Sequence, residues 1–153
     1  MDYPSQRDAI LAHAQAAALA VDAQWKDVSV GMPQPRGDRS VRVFYGGEVP
    51  PEHMGPDHDS LNSEMVAEVV KVIAFWEVAT GSETEALAID DEMYAFKHQF
   101  RTRVLGNARL GGEAENLTVD YADPTFIKLV SGQRYATLAM DVIVDYTEYS
   151  KVP

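Results

Sequence analysis

The hydrophobic pattern is clearest near the end of the chain, where apolar and polar residues alternate over residues 134–149. The apolar parity carries Ala136, Leu138, Met140, Val142, Val144 and Tyr146. Strict period-two alternation indicates a β-strand rather than a helix. At about 3.3 Å per residue this strand would reach about 50 Å, against a usual length of about five or six residues. We therefore expect a sheet that extends beyond one small domain and takes part in assembly.

A second long strand is expected over residues 63–80, SEMVAEVVKVIAFWEVAT. The segment is rich in β-branched and aromatic residues, which favours a strand. Both of its faces are largely apolar, one with Val70, Val72 and Trp76 and the other with Val69 and Ile73. Helices would cover one face, and a neighbouring subunit is a candidate cover for the other.

Two main helices follow from the pattern of apolar residues. The first covers residues 5–21, with its stripe at Ile10, Ala14, Ala17 and Val21. The second begins at the capping box Ser82–Glu85 and ends at Gly106. Acidic residues are concentrated at its start and basic residues at its end, which complements the helix dipole. Its expected buried stripe is Ala86, Ile89, Met93, Phe96, Phe100 and Val104.

The remaining segments are shorter. Residues 25–30 form a short strand or a turn, 31–38 a loop and 40–45 a strand. Residues 46–60 are expected to be a long irregular loop, because their glycines and prolines disfavour both a helix and the hydrogen-bond ladder of a β-sheet. Strands are expected at 115–121 and 126–130, with a turn at Asp123–Pro124. Residues 1–153 are therefore expected to form a single α+β domain, a mostly antiparallel sheet with long strands packed against two main helices.

Composition narrows the function classes. The net charge of −11 repels nucleic acid and anionic membranes, although it also suits a channel wall that DNA passes without binding. Solubility is the simpler explanation of that charge. The chain has no cysteine, which excludes disulfides and thiol catalysis. Because no apolar run is long enough to span a membrane and no secretory signal begins the chain, we expect synthesis in a cytoplasm and no membrane partner.

Candidate chemistry is concentrated in one polar cluster, Glu52, His53, Asp57, His58 and Asp59. Imidazoles and carboxylates are metal ligands, but the spacing of these residues matches no established metal motif. Nucleophile-elbow, phosphate-loop and dinucleotide-binding patterns are missing as well. We predict no catalytic residue, no metal site and no cofactor. A metal-binding enzyme using the His53–Asp59 loop is kept as an alternative.

The order of elements resembles the tail-terminator proteins of long-tailed bacteriophages, also known as minor tail or tail-completion proteins. A capped helix leads into a strand near 40–45, and a proline-rich loop precedes the long strand SEMVAEVVKVIAFWEVA. The long helix EALAIDDEMYAFKHQF follows, and the chain closes on a strand ending in DYTEY. The resemblance covers most of the chain and lies in element order and the closing strand.

The resemblance implies a structural virion protein without catalysis, made in the host cytoplasm and placed at the neck-proximal end of the tail. Copies would form a hexameric ring on the tail tube, end its polymerisation and give the head–tail connector its docking surface. DNA would pass through the lumen without specific binding. The implied partners are further copies of the chain, the tail-tube protein and the connector. Another ring component, a connector or a tube subunit, is the alternative.

Candidate functional residues lie in two places. Pro50, Pro51 and Met54 are expected to contact a neighbouring copy or the tube, because a loop of this length is usually functional. Asp141 and Asp145, on the polar parity of the closing strand, are expected to line the lumen. Ordinary solvent exposure is the alternative for both aspartates.

Overall fold

The computed structural model describes residues 3–21, 27–49, 63–106, 116–130 and 132–149. The elements in chain order are α1 (Tyr3–Leu19), β1 (Val28–Val30), β2 (Arg39–Val49), β3 (Ser63–Glu77), α2 (Glu83–Gly106), β4 (Asn116–Val130) and β5 (Gln133–Tyr149). The strands form one five-stranded sheet in the order β1-β2-β3-β5-β4. Only the β1–β2 pair among them is parallel. The predicted α+β class and mostly antiparallel sheet are confirmed.

The two long strands pair with each other at the centre of the sheet. All 15 residues of β3 pair with β5, from Ser63 opposite Tyr149 to Glu77 opposite Tyr135, without a register shift. β2 lies on the other side of β3, so β3 has a hydrogen-bonded neighbour along both edges over most of its length. The predicted length of the closing strand is confirmed, since β5 has 17 residues.

Both helices pack on the same face of the sheet. Their buried residues form one cluster with alternate residues of the three long central strands. That cluster includes Ile10, Ala14, Ala18, Met93, Phe96, Phe100, Val104, Val41, Val43, Val72, Ala74, Trp76, Leu138, Met140 and Val142. The even-numbered residues of β3 and β5 therefore face the helices, as strand alternation requires.

The boundary predicted between a strand at 40–45 and a loop from residue 46 is wrong. β2 continues to Val49, and its register with β3 shifts between Tyr45 and Glu48. Gly47 has φ 106°, a conformation that glycine adopts without steric cost. The two glycines thus form a bulge inside the strand rather than ending it. The rest of the predicted loop lies outside the described residues.

The turn predicted at Asp123–Pro124 is also wrong. β4 runs unbroken from Asn116 to Val130, with register shifts between Val119 and Tyr121 and between Thr125 and Lys128. β4 is the last strand of the sheet. A proline is tolerated there because the outer edge of an edge strand needs no N–H for a ladder.

Glu92 joins α2 to the sheet. Its carboxylate accepts hydrogen bonds from Arg39 Nε at 3.1 Å, Arg39 Nη2 at 2.6 Å and Trp76 Nε1 at 2.8 Å. The Trp76 ring is buried and packs edge-on against Phe96 of α2, with centroids 6.2 Å apart. One carboxylate therefore holds β2, β3 and α2 together.

The capping box predicted at the start of α2 has a more extended form. Ser82 Oγ accepts from the Glu85 N–H at 3.2 Å, as expected. The Glu85 carboxylate accepts from the N–H groups of Ala79, Thr80 and Gly81 at 3.0, 3.1 and 2.9 Å. The Gly81 hydrogen bond is the largest of the causes that lower the pKa of Glu85. The buried stripe begins at Ile89, so the prediction for Ala86 is wrong, because Ala86 lies on the exposed side of the first turn.

The Glu92 contacts predict a loss of stability on truncation. Glu92→Ala should lower the free energy of unfolding by about 1–3 kcal/mol, because the Arg39 guanidinium and the Trp76 indole lose their shared acceptor. Chemical denaturation measures the change. Asp90→Ala, which removes an exposed carboxylate two residues earlier, should change stability by less than about 0.5 kcal/mol. Equal effects of the two substitutions would contradict this role of Glu92.

The Glu85 cap predicts a pH dependence. Since folding lowers the pKa of Glu85, its contribution is present above the ordinary value of 4.5 and is lost as the pH falls through the folded-state pKa. Glu85→Gln should therefore reduce stability at neutral pH and flatten the dependence of unfolding free energy on pH below about 4.5. Denaturation curves between about pH 2 and pH 7 test this. Glu83→Gln, which removes another first-turn carboxylate, is the control and should reduce stability at neutral pH by less than Glu85→Gln does.

Candidate assembly surface

The face of the sheet away from the helices carries a second set of buried residues. It is formed by the odd-numbered residues of β3 and β5 together with Ser40, Arg42 and Phe44 of β2, and is called here the second face. Ala67, Val69, Phe75 and Tyr135 are buried apolar residues that stand outside the helix-side cluster. Both described helices lie on the other face, so the sheet is apolar on two sides but has helices on only one.

One end of the second face is closed by its own contacts. Phe75 and Tyr135 pack edge to face, with centroids 6.3 Å apart, and burial raises the pKa of Tyr135. Arg42, 5% exposed, donates from Nη1 to Asp27 Oδ1 at 3.0 Å and to the Val41 carbonyl at 3.0 Å. The ion pair between Arg42 and Asp27 fixes the segment that leads into β1 against the sheet.

The middle of the second face is only half buried. Phe44, Ile73, Ala139 and Ile143 surround the pair Lys71 and Asp141, and these residues are called here the central patch. Lys71 Nζ lies 2.8 Å from Asp141 Oδ1, and the side chains are 39% and 27% exposed. The two residues stand directly opposite each other in the β3–β5 register.

The Lys71–Asp141 pair determines what can cover the patch. An ion pair with this exposure contributes little to the stability of the chain alone. Burying one unpaired charge would be strongly unfavourable, whereas a pair that is already made can be covered at lower cost. The central patch therefore presents apolar surface with no net charge, which suits a protein neighbour better than DNA or an anionic membrane.

Gly46 gives the Lys71 side chain its position. A Cβ at residue 46 would lie 2.6 Å from Lys71 Cγ, closer than side chains approach one another. The glycine bulge of β2 therefore leaves the space through which Lys71 reaches Asp141. The glycine and proline content of the following residues predicted a loop that starts at Gly46, and this role of the glycine was missed.

The structure separates the two aspartates that were predicted to line a lumen. Asp141 belongs to the central patch and is paired with Lys71. Asp145 is 2% exposed, so of the two aspartates Asp141 alone presents its charge on this face of the single chain. The lumen assignment stays a prediction. Pro50, Pro51 and Met54, and the His53–Asp59 loop, lie outside the described residues.

The residue of the candidate surface that sequence reasoning missed is Lys71, the partner of Asp141. Its signal was present in the sequence, because Lys71 is the single basic residue among the apolar residues 65–75 of its strand face, and Asp141 and Asp145 share one face of β5. The pairing itself depends on a register between strands that are separated in sequence by α2 and β4. That register cannot be inferred from the local pattern of apolar and polar residues.

Within the described ranges, no group of three or more histidines and carboxylates is placed to hold a metal ion. Neither α1 nor α2 combines the length and apolar character that crossing a bilayer requires, as judged on the residues the structure describes. Comparison of the sequence with protein-family models finds no match, and comparison with curated proteins finds none either.

The contact between Gly46 and Lys71 predicts a stability effect. Gly46→Ala should destabilise the chain by about 1–3 kcal/mol, because the new methyl group overlaps Lys71 Cγ. In a chain that already carries Lys71→Ala, adding Gly46→Ala should cost much less stability, because the side chain that the methyl group would overlap is gone. Thermal or chemical unfolding measures the coupling between the two positions.

Gly106→Ala provides the matched control for the Gly46 prediction. No atom lies within 4 Å of the position that a methyl group would take there, at the end of α2. Its substitution should be neutral or stabilising by up to about 1 kcal/mol. Additive effects of Gly46→Ala and Lys71→Ala would contradict the proposed packing.

Proposed function

We propose that this chain is a ring-forming structural protein of a bacteriophage tail. In this proposal it is a tail terminator that assembles at the head-proximal end of the tail tube, stops tube growth and provides the surface on which the connector docks. It acts by assembly and not by catalysis. Its partners are further copies of itself, the tail-tube protein and the connector, and DNA passes through the ring.

The observation that carries the proposal is the central patch on a sheet with very long strands. In an antiparallel sheet with one face towards solvent, that face is normally polar. Here its middle carries Phe44, Ile73, Ala139 and Ile143 around a neutralised ion pair. Accessible apolar surface framed by polar residues is typical of a protein interface.

The sheet edges support assembly in a ring. β1 has 3 residues and pairs only with Val41–Val43 of the 11-residue β2. No described strand pairs with the outer edge of β2 beyond Val43, and β4 forms the opposite edge. Subunits of a cyclic ring contact their two neighbours through different surfaces. Two unlike edges of one sheet provide two such surfaces, since strand edges readily accept a further strand.

The charge of the chain is compatible with a DNA channel. At −11 the chain repels the phosphate backbone, so DNA moves through the ring without being retained. A negative net charge is common because it favours solubility. The charge therefore supports the proposal only together with the candidate assembly surface.

Particle size tests the proposal. The purified chain should be studied by light scattering and negative-stain electron microscopy, alone and with the tail-tube protein of the same phage. We expect ring-sized particles that cap the ends of tubes. A chain that stays monomeric both with and without the tube protein would contradict the proposal, and long tubes made by this chain alone would identify a tube subunit.

A substitution in the patch makes the same test specific. Ala139→Glu should abolish ring formation while retaining the melting temperature of the parent chain to within a few degrees, because position 139 is half exposed in the single chain. Met32→Glu is the control, since Met32 is 75% exposed in the loop before β2. Rings that form equally well with Ala139→Glu would exclude the central patch as the interface.

A further inference from the structure

The outer side of α2 carries a second line of apolar residues that the fold does not use. Leu87, Tyr94 and Leu105 are 61%, 64% and 57% exposed, and His98 is exposed between them. With about 3.6 residues per turn, these four positions fall within about 20° of one line along the helix. The line, called here the outer stripe, is about 27 Å long at about 1.5 Å per residue.

The outer stripe points away from the core. The buried residues of α2 are Ile89, Met93, Phe96, Phe100 and Val104, which lie on a different side of the helix. Large apolar side chains aligned on the solvent side of a helix contribute little to the packing of the single chain. Their alignment indicates a contact with another helix.

The outer stripe is self-complementary when two copies run antiparallel. With the two-fold axis at the level of residue 96, Leu87 of one copy faces Leu105 of the second copy. In the same register Tyr94 faces His98, and Asp90 faces Arg101, since Asp90 and Arg101 lie on the same flank of the stripe. A two-fold axis repeats each contact, so every member of the stripe has a chemically suitable partner.

Charge favours the same arrangement along one flank of the outer stripe. On the flank of the stripe that carries Arg101, the first half of α2 has Glu83 and Asp90, and the second half has Lys97 and Arg101. Antiparallel copies place each acidic half against a basic half, whereas parallel copies would oppose like charges.

The side chains of this contact are available in the single chain. Asp90 and Arg101 form no salt bridge with the described residues. Tyr94 is held in place by His98, with ring centroids 4.4 Å apart, and by Lys97, whose Nζ lies 5.0 Å from the Tyr94 ring centroid. The centre of the stripe is therefore ordered before a partner arrives.

We propose that α2 mediates two-fold self-association, with the outer stripes of two copies packed antiparallel. The contact does not depend on the proposed ring, because neighbours within a ring meet through unlike surfaces. A two-fold contact instead pairs free chains or joins two rings, and in either case it doubles the mass of the associating unit. Few side chains take part, fewer than in a standard interface of about 800 Å² per partner, so the association should be weak.

Analytical ultracentrifugation of the full chain without other proteins tests the proposal, from about 1 μM to about 1 mM in low salt. We expect a reversible doubling of mass as concentration rises. Asp90→Arg alone and Arg101→Asp alone should each weaken association about tenfold, because each places like charges together twice in the dimer. The double variant Asp90→Arg/Arg101→Asp should restore it to within about threefold.

Leu87→Glu should also abolish the doubling, whereas Leu19→Glu should not, since Leu19 is 47% exposed on α1 and provides the matched control. Circular dichroism checks that each variant is folded. A mass that never doubles overturns the proposal. So does a double charge swap that fails to restore association, or a Leu19→Glu variant that weakens association as much as Leu87→Glu.

Discussion

The pairing of β3 with β5 is the contact on which the rest of the structure depends. The two strands are separated in the chain by α2 and β4, yet they pair without a shift along the whole of β3. Because side chains alternate along a strand, this one register decides both faces of the sheet. It sends Val72 and Met140 to the helices and places Lys71 opposite Asp141 on the second face. A slip by one residue would exchange the core with the assembly surface.

Features that look unrelated in sequence serve the second face together. The glycines of β2 bend the strand and leave room for Lys71, Lys71 neutralises Asp141, and the neutralised pair lets the surrounding apolar residues be covered. Glu92 and the Glu85 cap act on the other face, where they hold α2 against the ends of the strands. The helix side thus stabilises the subunit, and the second face is the surface that we propose for assembly.

Local patterns predicted the elements well. The alternation in β5, the β-branched run in β3 and the capping box of α2 all lie within short windows, and the structure bears out each of them. Errors arose where neighbours decide the outcome. Gly46 and Gly47 form a bulge only because β3 continues beside them, and Pro124 stays in a strand only because β4 is at an edge.

The candidate site was less accessible to sequence reasoning. Asp141 was singled out by its parity, but its pairing with Lys71 and the burial of Asp145 follow from contacts between distant segments. The outer stripe of α2 has a period that is visible in the sequence. The same helical period was used there to find the buried side only, and the exposed fractions show that the helix has a second ordered side.

Thiol protection would test the assembly role of the second face most directly, because the chain has no cysteine of its own. Ala139→Cys places one thiol in the central patch, and Met32→Cys places one in an exposed loop. If the second face is the assembly surface, the thiol at position 139 should react readily in the free chain and become protected when tube protein is added, while the thiol at position 32 stays reactive. Unchanged reactivity at position 139 in assembled particles would contradict an assembly role for this face.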